Sequence, residues 1–136
     1  MQARSDVLLV ALGGAVGAAA RYGLLQAFPV QPGRLPLTTG AINVGGAFAL
    51  GVLLEWLVRH RDESHWARPL VGVGVLGAFT TFSTFAVELA RLARDGHTVL
   101  AVAYGLGSLV VGIGAVLAGL VAAGWRRPPV PAEGES

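Results

Sequence analysis

Four hydroxyls and three aromatic rings are threaded together in GAFTTFSTFAVE, the stretch from Gly77 to Glu88. Thr80, Thr81, Ser83 and Thr84 alternate with Phe79, Phe82 and Phe85 in an otherwise apolar part of the chain. A buried donor left without a partner costs about 1–3 kcal/mol, so hydroxyls at this density need something polar to meet. In a regular helix each could bond back to its own i−4 carbonyl. Gly74 and Gly77 before them, and the β-branched threonines, favour a local break in the helix instead. A half-helix ending at a break presents carbonyls at its negative dipole end, which suit a cation, while nearby hydroxyl donors suit an anion. An aromatic ring is negative on its face and positive at its edge. Phe82 and Phe85, at i and i+3, share one face, where they either pack a core or line an ion path.

Further polar groups fall at helical spacing on other apolar stretches. In TTGAINVGGAFALG, Thr39 and Asn43 are four apart and form a stripe, and the Asn43 amide carries N–H donors and an acceptor suited to interhelical glue or to an anion. Tyr104 and Ser108 repeat the spacing further on. Arg21, embedded in the first apolar stretch, either snorkels to the surface or faces water or protein, where it raises local anion concentration. Glu88, four residues after Thr84, is a gating or hydrogen-bonding group or an interfacial charge. His60, His65 and His97 have no metal-ligand spacing, and no nucleophile motif accompanies Glu55 or Glu88, so the chain does not read as an enzyme. With no cysteine there are no disulfides and no thiolate metal sites.

The elements that must carry these residues follow from composition. Of 136 residues, 54% are hydrophobic and 13% charged, against about 25% charged in an ordinary soluble domain. A span needs about 20 mostly apolar residues, and four stretches qualify: roughly Val7–Phe28, Leu37–Val58, Pro69–Leu92 and Thr98–Trp125. The expectation is an all-α integral membrane protein with four transmembrane helices, the third broken mid-span. Residues 1–127 read as one transmembrane domain and 128–136 as a disordered tail. The first stretch lacks the strongly basic start and cleavage site of a secretory signal. Gly13 and Gly17 form a GxxxG, and Gly105, Ser108, Gly112, Ala115 and Gly119 place small residues along the fourth span for close helix approach.

All ten basic residues are arginine. Arg4, Arg59, Arg61, Arg68, Arg126 and Arg127 fall on the side of the termini, Arg34, Arg91 and Arg94 on the other. That lean favours cytoplasmic termini, yet it is small enough to leave a mixed orientation open.

GGAVGAAARYG (Gly13–Gly23), TTGAINVGGAFALG (Thr38–Gly51) and GAFTTFSTFAVE together resemble the fluoride channel family called Fluc or CrcB. The resemblance covers all four spans in order. It implies an antiparallel, dual-topology homodimer in the cell (inner) membrane, with two narrow pores that export fluoride passively and protect the cell from its toxicity. It also implies a structural sodium ion held by the backbone carbonyls of Gly77 and Thr80. Asn43 would donate to fluoride, Phe82 and Phe85 would line the pores with the hydroxyls of Thr81, Ser83 and Thr84, and Tyr104 and Ser108 would belong to a polar track. Arg21 would sit in the vestibule. Gly112 falls where a further hydroxyl could extend the track.

Small, strongly hydrated fluoride needs compact N–H and O–H donors and ring edges to replace its water. A proton-coupled multidrug exporter also has four short spans, but it wants a deep carboxylate, and the first span has only Asp6 at its edge. A membrane scaffold would explain the glycines and leave Asn43 and the broken span without purpose. Nothing in the charge pattern suggests nucleic acid as a partner.

Overall fold

A computed structural model describes residues 2–31, 33–60 and 65–124, with the side chains of residues 2 and 3 excepted. The expected tail at 128–136 lies outside the described residues, as do Arg61, Trp125, Arg126 and Arg127. The described residues are helical apart from short connections. Helix α1 is Gln2–Ala27 and α2 is Leu37–Arg59. The third span begins as a π-helix, Arg68–Leu76, runs into α3 (Gly77–Phe79), and resumes as α4 (Phe82–Arg94). Helix α5 is Thr98–Ala122.

Among the described residues four segments are long and apolar enough to cross a membrane: Arg4–Ala27, Leu37–Arg59, Arg68–Arg94 and Thr98–Ala122. At 1.5 Å per residue even the 23 residues of α2 cover a hydrocarbon core of about 30 Å. Large apolar side chains lie on the outside, Val110 being 70% and Val99 85% exposed, as expected where the solvent is lipid.

Backbone approach at glycine organises the bundle into two tight pairs. A Cβ on Gly13 would run into the Leu70 carbonyl and one on Gly17 into the Val75 carbonyl, so α1 lies directly on the π-helix. A Cβ on Gly51 would meet the Val116 carbonyl and one on Gly119 the Phe48 carbonyl, so α2 lies on α5. Both contacts are small-residue seams of the kind lipid-embedded helices use in place of a hydrophobic drive.

The third span is one bent, joined helix, interrupted over two residues only. Thr80 (φ −75°, ψ 157°) and Thr81 (φ −146°, ψ 117°) are extended, and helix resumes at once. The interruption falls three residues beyond Gly77. Gly74 sits inside the π-helix instead, where its bare Cα lies against Gly13 and the Val10 carbonyl. Its smallness serves packing.

Helix ends follow the local sequence. Asp95 caps α4, Gly96 takes φ +85°, and His97 N–H donates to Leu92 O at 2.8 Å while Gly96 N–H donates to Ala93 O at 3.2 Å, the two bonds of a Schellman motif. At the other face Arg59 pairs with buried Glu55 at 2.9 Å and also donates to the Gly124 carbonyl, tying the C-terminal ends of α2 and α5 together. Trp56 stacks on His60 at 4.8 Å and meets Trp66 edge-on at 6.3 Å, an aromatic cluster suited to the membrane interface.

Candidate functional site

The interruption strands backbone groups in the middle of a membrane span, and each described partner comes from another helix. Helical register would give the Thr81 N–H to the Gly77 carbonyl. That N–H donates instead to Asn43 Oδ1 at 2.8 Å, and Asn43 Nδ2 donates back to Thr81 O at 3.0 Å. Asn43 therefore clasps both polar groups of one extended residue, leaving one amide N–H unassigned by these two bonds. From α1, Arg21 Nη1 donates to Thr80 O at 3.2 Å.

The hydroxyls divide their work. Thr80 Oγ1 donates to Leu76 O at 2.9 Å, the back-bond expected of a helical threonine. Thr81 is the N-cap of α4: its Oγ1 accepts from Thr84 N–H at 3.2 Å, donates to Thr84 Oγ1 at 3.0 Å and lies 3.3 Å from Ser83 Oγ. The dense run of hydroxyls thus both ends one half-helix and starts the next.

The polar stripe on α2 faces this span along its length. Four residues before Asn43, the fully buried Thr39 donates to Glu88 Oε1 at 2.6 Å. Glu88 is 9% exposed, and its Oε2 is buried without a well-formed hydrogen bond. Tyr104 OH donates to Pro36 O at 3.3 Å, and the Tyr104 ring packs with Leu92, Ala101, Phe85 and Leu89 between α4 and α5.

An open groove of about 640 Å³ runs beside the break. Its polar lining comes from Asn43, Thr80, Thr81 and Ser108, and its rings are Phe82 and Phe85, 6.2 Å apart. Phe85 also tilts against Tyr104 at 5.2 Å. A second hollow of about 150 Å³ lies at the end of the same span, bordered by Glu88, Arg34, Arg91 and Asp95.

Of the residues singled out in the sequence, Asn43, Thr80, Thr81, Phe82, Phe85, Ser108 and Gly77 border one groove. Ser83 and Thr84 belong to the cap of α4, and Tyr104 to the packed seam behind Phe85. Arg21 touches the break from α1. Two residues were not singled out as site residues: Thr39, which holds Glu88, and Gly46, where a Cβ would collide with the Thr80 methyl. The i, i+4 stripe contained the signal for Thr39, and the mid-span Gly45–Gly46 pair contained it for Gly46.

Four membrane-length helices around an internally clasped break define a small multi-pass membrane protein with a polar seam at mid-span. A family model described as CrcB-like protein, Camphor Resistance (CrcB) matches residues 8–120, which is most of the chain. The chain belongs to the CrcB family. It is 45% identical over 111 residues to a protein named fluoride-specific ion channel FluC 3 from Streptomyces avermitilis, spanning 82% of this chain and 54% of that relative, little more than half its length. It is 47% identical over 114 residues to fluoride-specific ion channel FluC from Paracoccus denitrificans, spanning 83% of this chain and 90% of that one. It is 43% identical over 115 residues to FluC from Hyphomonas neptunium, spanning 83% and 91%.

Proposed function

We propose that the chain is a fluoride-selective channel of the cell membrane, through which fluoride leaves passively, protecting the cell from its toxicity. The relatives' names agree with this reading. The observation that carries it is the groove in which Asn43, Ser108 and the break's hydroxyls converge with Phe82 and Phe85. Compact donors and ring edges in one place replace the hydration of a small anion without fixed charges that would trap it.

The working unit is an antiparallel homodimer. Gly77, Ser83 and Phe82, the last 80% exposed, lie on the open side of the break. Backbone and hydroxyls of this kind are not left facing hydrocarbon. A second copy covers them and closes the groove. At its far end Glu88 lies between Thr39 and the hollow bordered by Arg34 and Arg91, where it gates or orders the exit.

A structural sodium ion fits the donor set. The Gly77 carbonyl has lost its i+4 donor to Asn43, and the Thr80 carbonyl keeps a second lone pair beside its bond to Arg21. Neutral oxygens suit a hard cation. These two carbonyls of each copy would hold the ion, and the ion would supply a fixed positive charge at the dimer centre.

Fluoride efflux from liposomes containing the purified protein tests the reading. Rapid fluoride release with chloride retained is the expected result. Phe82→Ile keeps bulk and removes the positive ring edge, so this variant should still assemble and lose most fluoride flux. Parent-like flux in Phe82→Ile would sink the ring's assignment, and a parent that releases no fluoride would sink the function.

A further inference from the structure

Arg21 and the proposed sodium ion have a claim on the same atom. The guanidinium, a cation, donates from Nη1 to Thr80 O at 3.2 Å. That oxygen is one of the two carbonyls at the break assigned to the metal. A carbonyl has two lone pairs, so it can serve a guanidinium and a metal ion together. The two positive charges then repel across one dipole.

We infer that Arg21 limits cation binding at the break, weakening the hold on a monovalent alkali ion and excluding a divalent one. The inference rests on the sodium reading above. The repulsion from Arg21 and the attraction of the carbonyl dipoles both double for a divalent ion, while the cost of stripping its water grows as the square of its charge, so the repulsion turns away a divalent ion first. The carbonyls at the break, two from each copy, supply dipoles and no negative charge. Among the described residues no group of three His, Cys, Asp or Glu is placed to hold a metal. In the absence of an ion, Arg21 keeps the Thr80 oxygen paired. This explains why an arginine is held at a cation site.

The test is thermal unfolding of the detergent-purified protein, titrated with sodium chloride and separately with calcium chloride at constant ionic strength in N-methylglucamine. The parent should be stabilised by sodium and left unchanged by calcium. Arg21→Met removes charge and donor at similar length. Its half-effect should come at a sodium concentration roughly tenfold lower, the change that about 1.4 kcal/mol of relieved repulsion produces, and calcium should begin to stabilise. Arg21→Lys, which keeps the charge, should stay close to the parent. A sodium dependence in Arg21→Met equal to or weaker than the parent's overturns the inference and leaves the sodium site in place. A parent that conducts fluoride but does not respond to sodium overturns the sodium site, and this inference with it. Should Arg21→Met not fold, the parent alone decides: stabilisation by calcium as strong as by sodium overturns the inference.

Discussion

Asn43 commits both ends of its amide to Thr81, so its loss strands a backbone donor and a backbone acceptor together. At about 1–3 kcal/mol for each orphaned group, Asn43→Ala should cost about 2–6 kcal/mol. The midpoint of chemical unfolding in detergent reads this directly, and a parent-like midpoint would remove the clasp from the account. Asn43→Asp separates structure from permeation. It keeps an acceptor for the Thr81 N–H but sets a carboxylate against the Thr81 carbonyl and against any anion in the groove. At about 4 Å and an effective dielectric near 20, that repulsion is about 4 kcal/mol, close to a thousandfold in occupancy. Fluoride efflux should fall accordingly; flux within tenfold of the parent would show that no anion passes near position 43. The sequence marked Asn43 because an amide in mid-span needs a partner. It did not identify that partner, which lies 38 residues away on another span. The Thr39–Glu88 pair, 49 residues apart, was hidden for the same reason. Periodicity assigns a residue to a face of its own helix and carries no information about what slides up against it.

The interruption in the third span depends on α2 as much as on its own residues. Gly46 gives the Thr80 methyl its space, since a Cβ there would overlap Thr80 Cγ2. Gly46→Ala should therefore displace the break and lower fluoride efflux by about tenfold or more, given that misplacements of about 1 Å are felt in close-packed interiors. Adding Thr80→Ser removes the offending methyl while keeping the hydroxyl, and the double variant should recover most of the flux. This is a coupled pair, so additive losses in the double-mutant cycle would refute the contact. Four apolar spans, the GxxxG of the first helix and the small residues of the last were all legible, because lipid imposes length and close approach imposes glycine. The position of the break was legible only approximately. Gly74 and Gly77 draw attention, yet the chain leaves the helix at Thr80 and Thr81, where a threonine hydroxyl can cap the next helix and an asparagine can take the freed backbone. The π-helix upstream was not legible at all: hydrogen bonds that reach one residue further leave no mark on so short and largely apolar a run.

On charge the whole molecule leans only mildly to one orientation, six arginines on the side of the termini against three on the other. The proposed antiparallel dimer predicts that Ser136→Cys, the lone thiol in a chain without cysteine, reacts with an impermeant maleimide from both sides of the membrane in oriented cells and vesicles. Labelling from one side alone would make the arginine lean decisive and rule out dual topology. The two tight pairs have a separate consequence for how the chain is made. The first span's close partner is the third, and the second's is the fourth, so the pairs interleave and neither joins neighbours in sequence. A nascent chain that has delivered two spans has no glycine seam it can close. The first closes only when Leu70 and Val75 arrive, and Gly51 must wait for Val116. Until the third span arrives Asn43 has nothing to clasp, and until the fourth arrives the Gly51 seam stays bare. The fourth span is therefore the lock of the assembly, and chains cut short before it should be recognised by membrane quality control as unfinished.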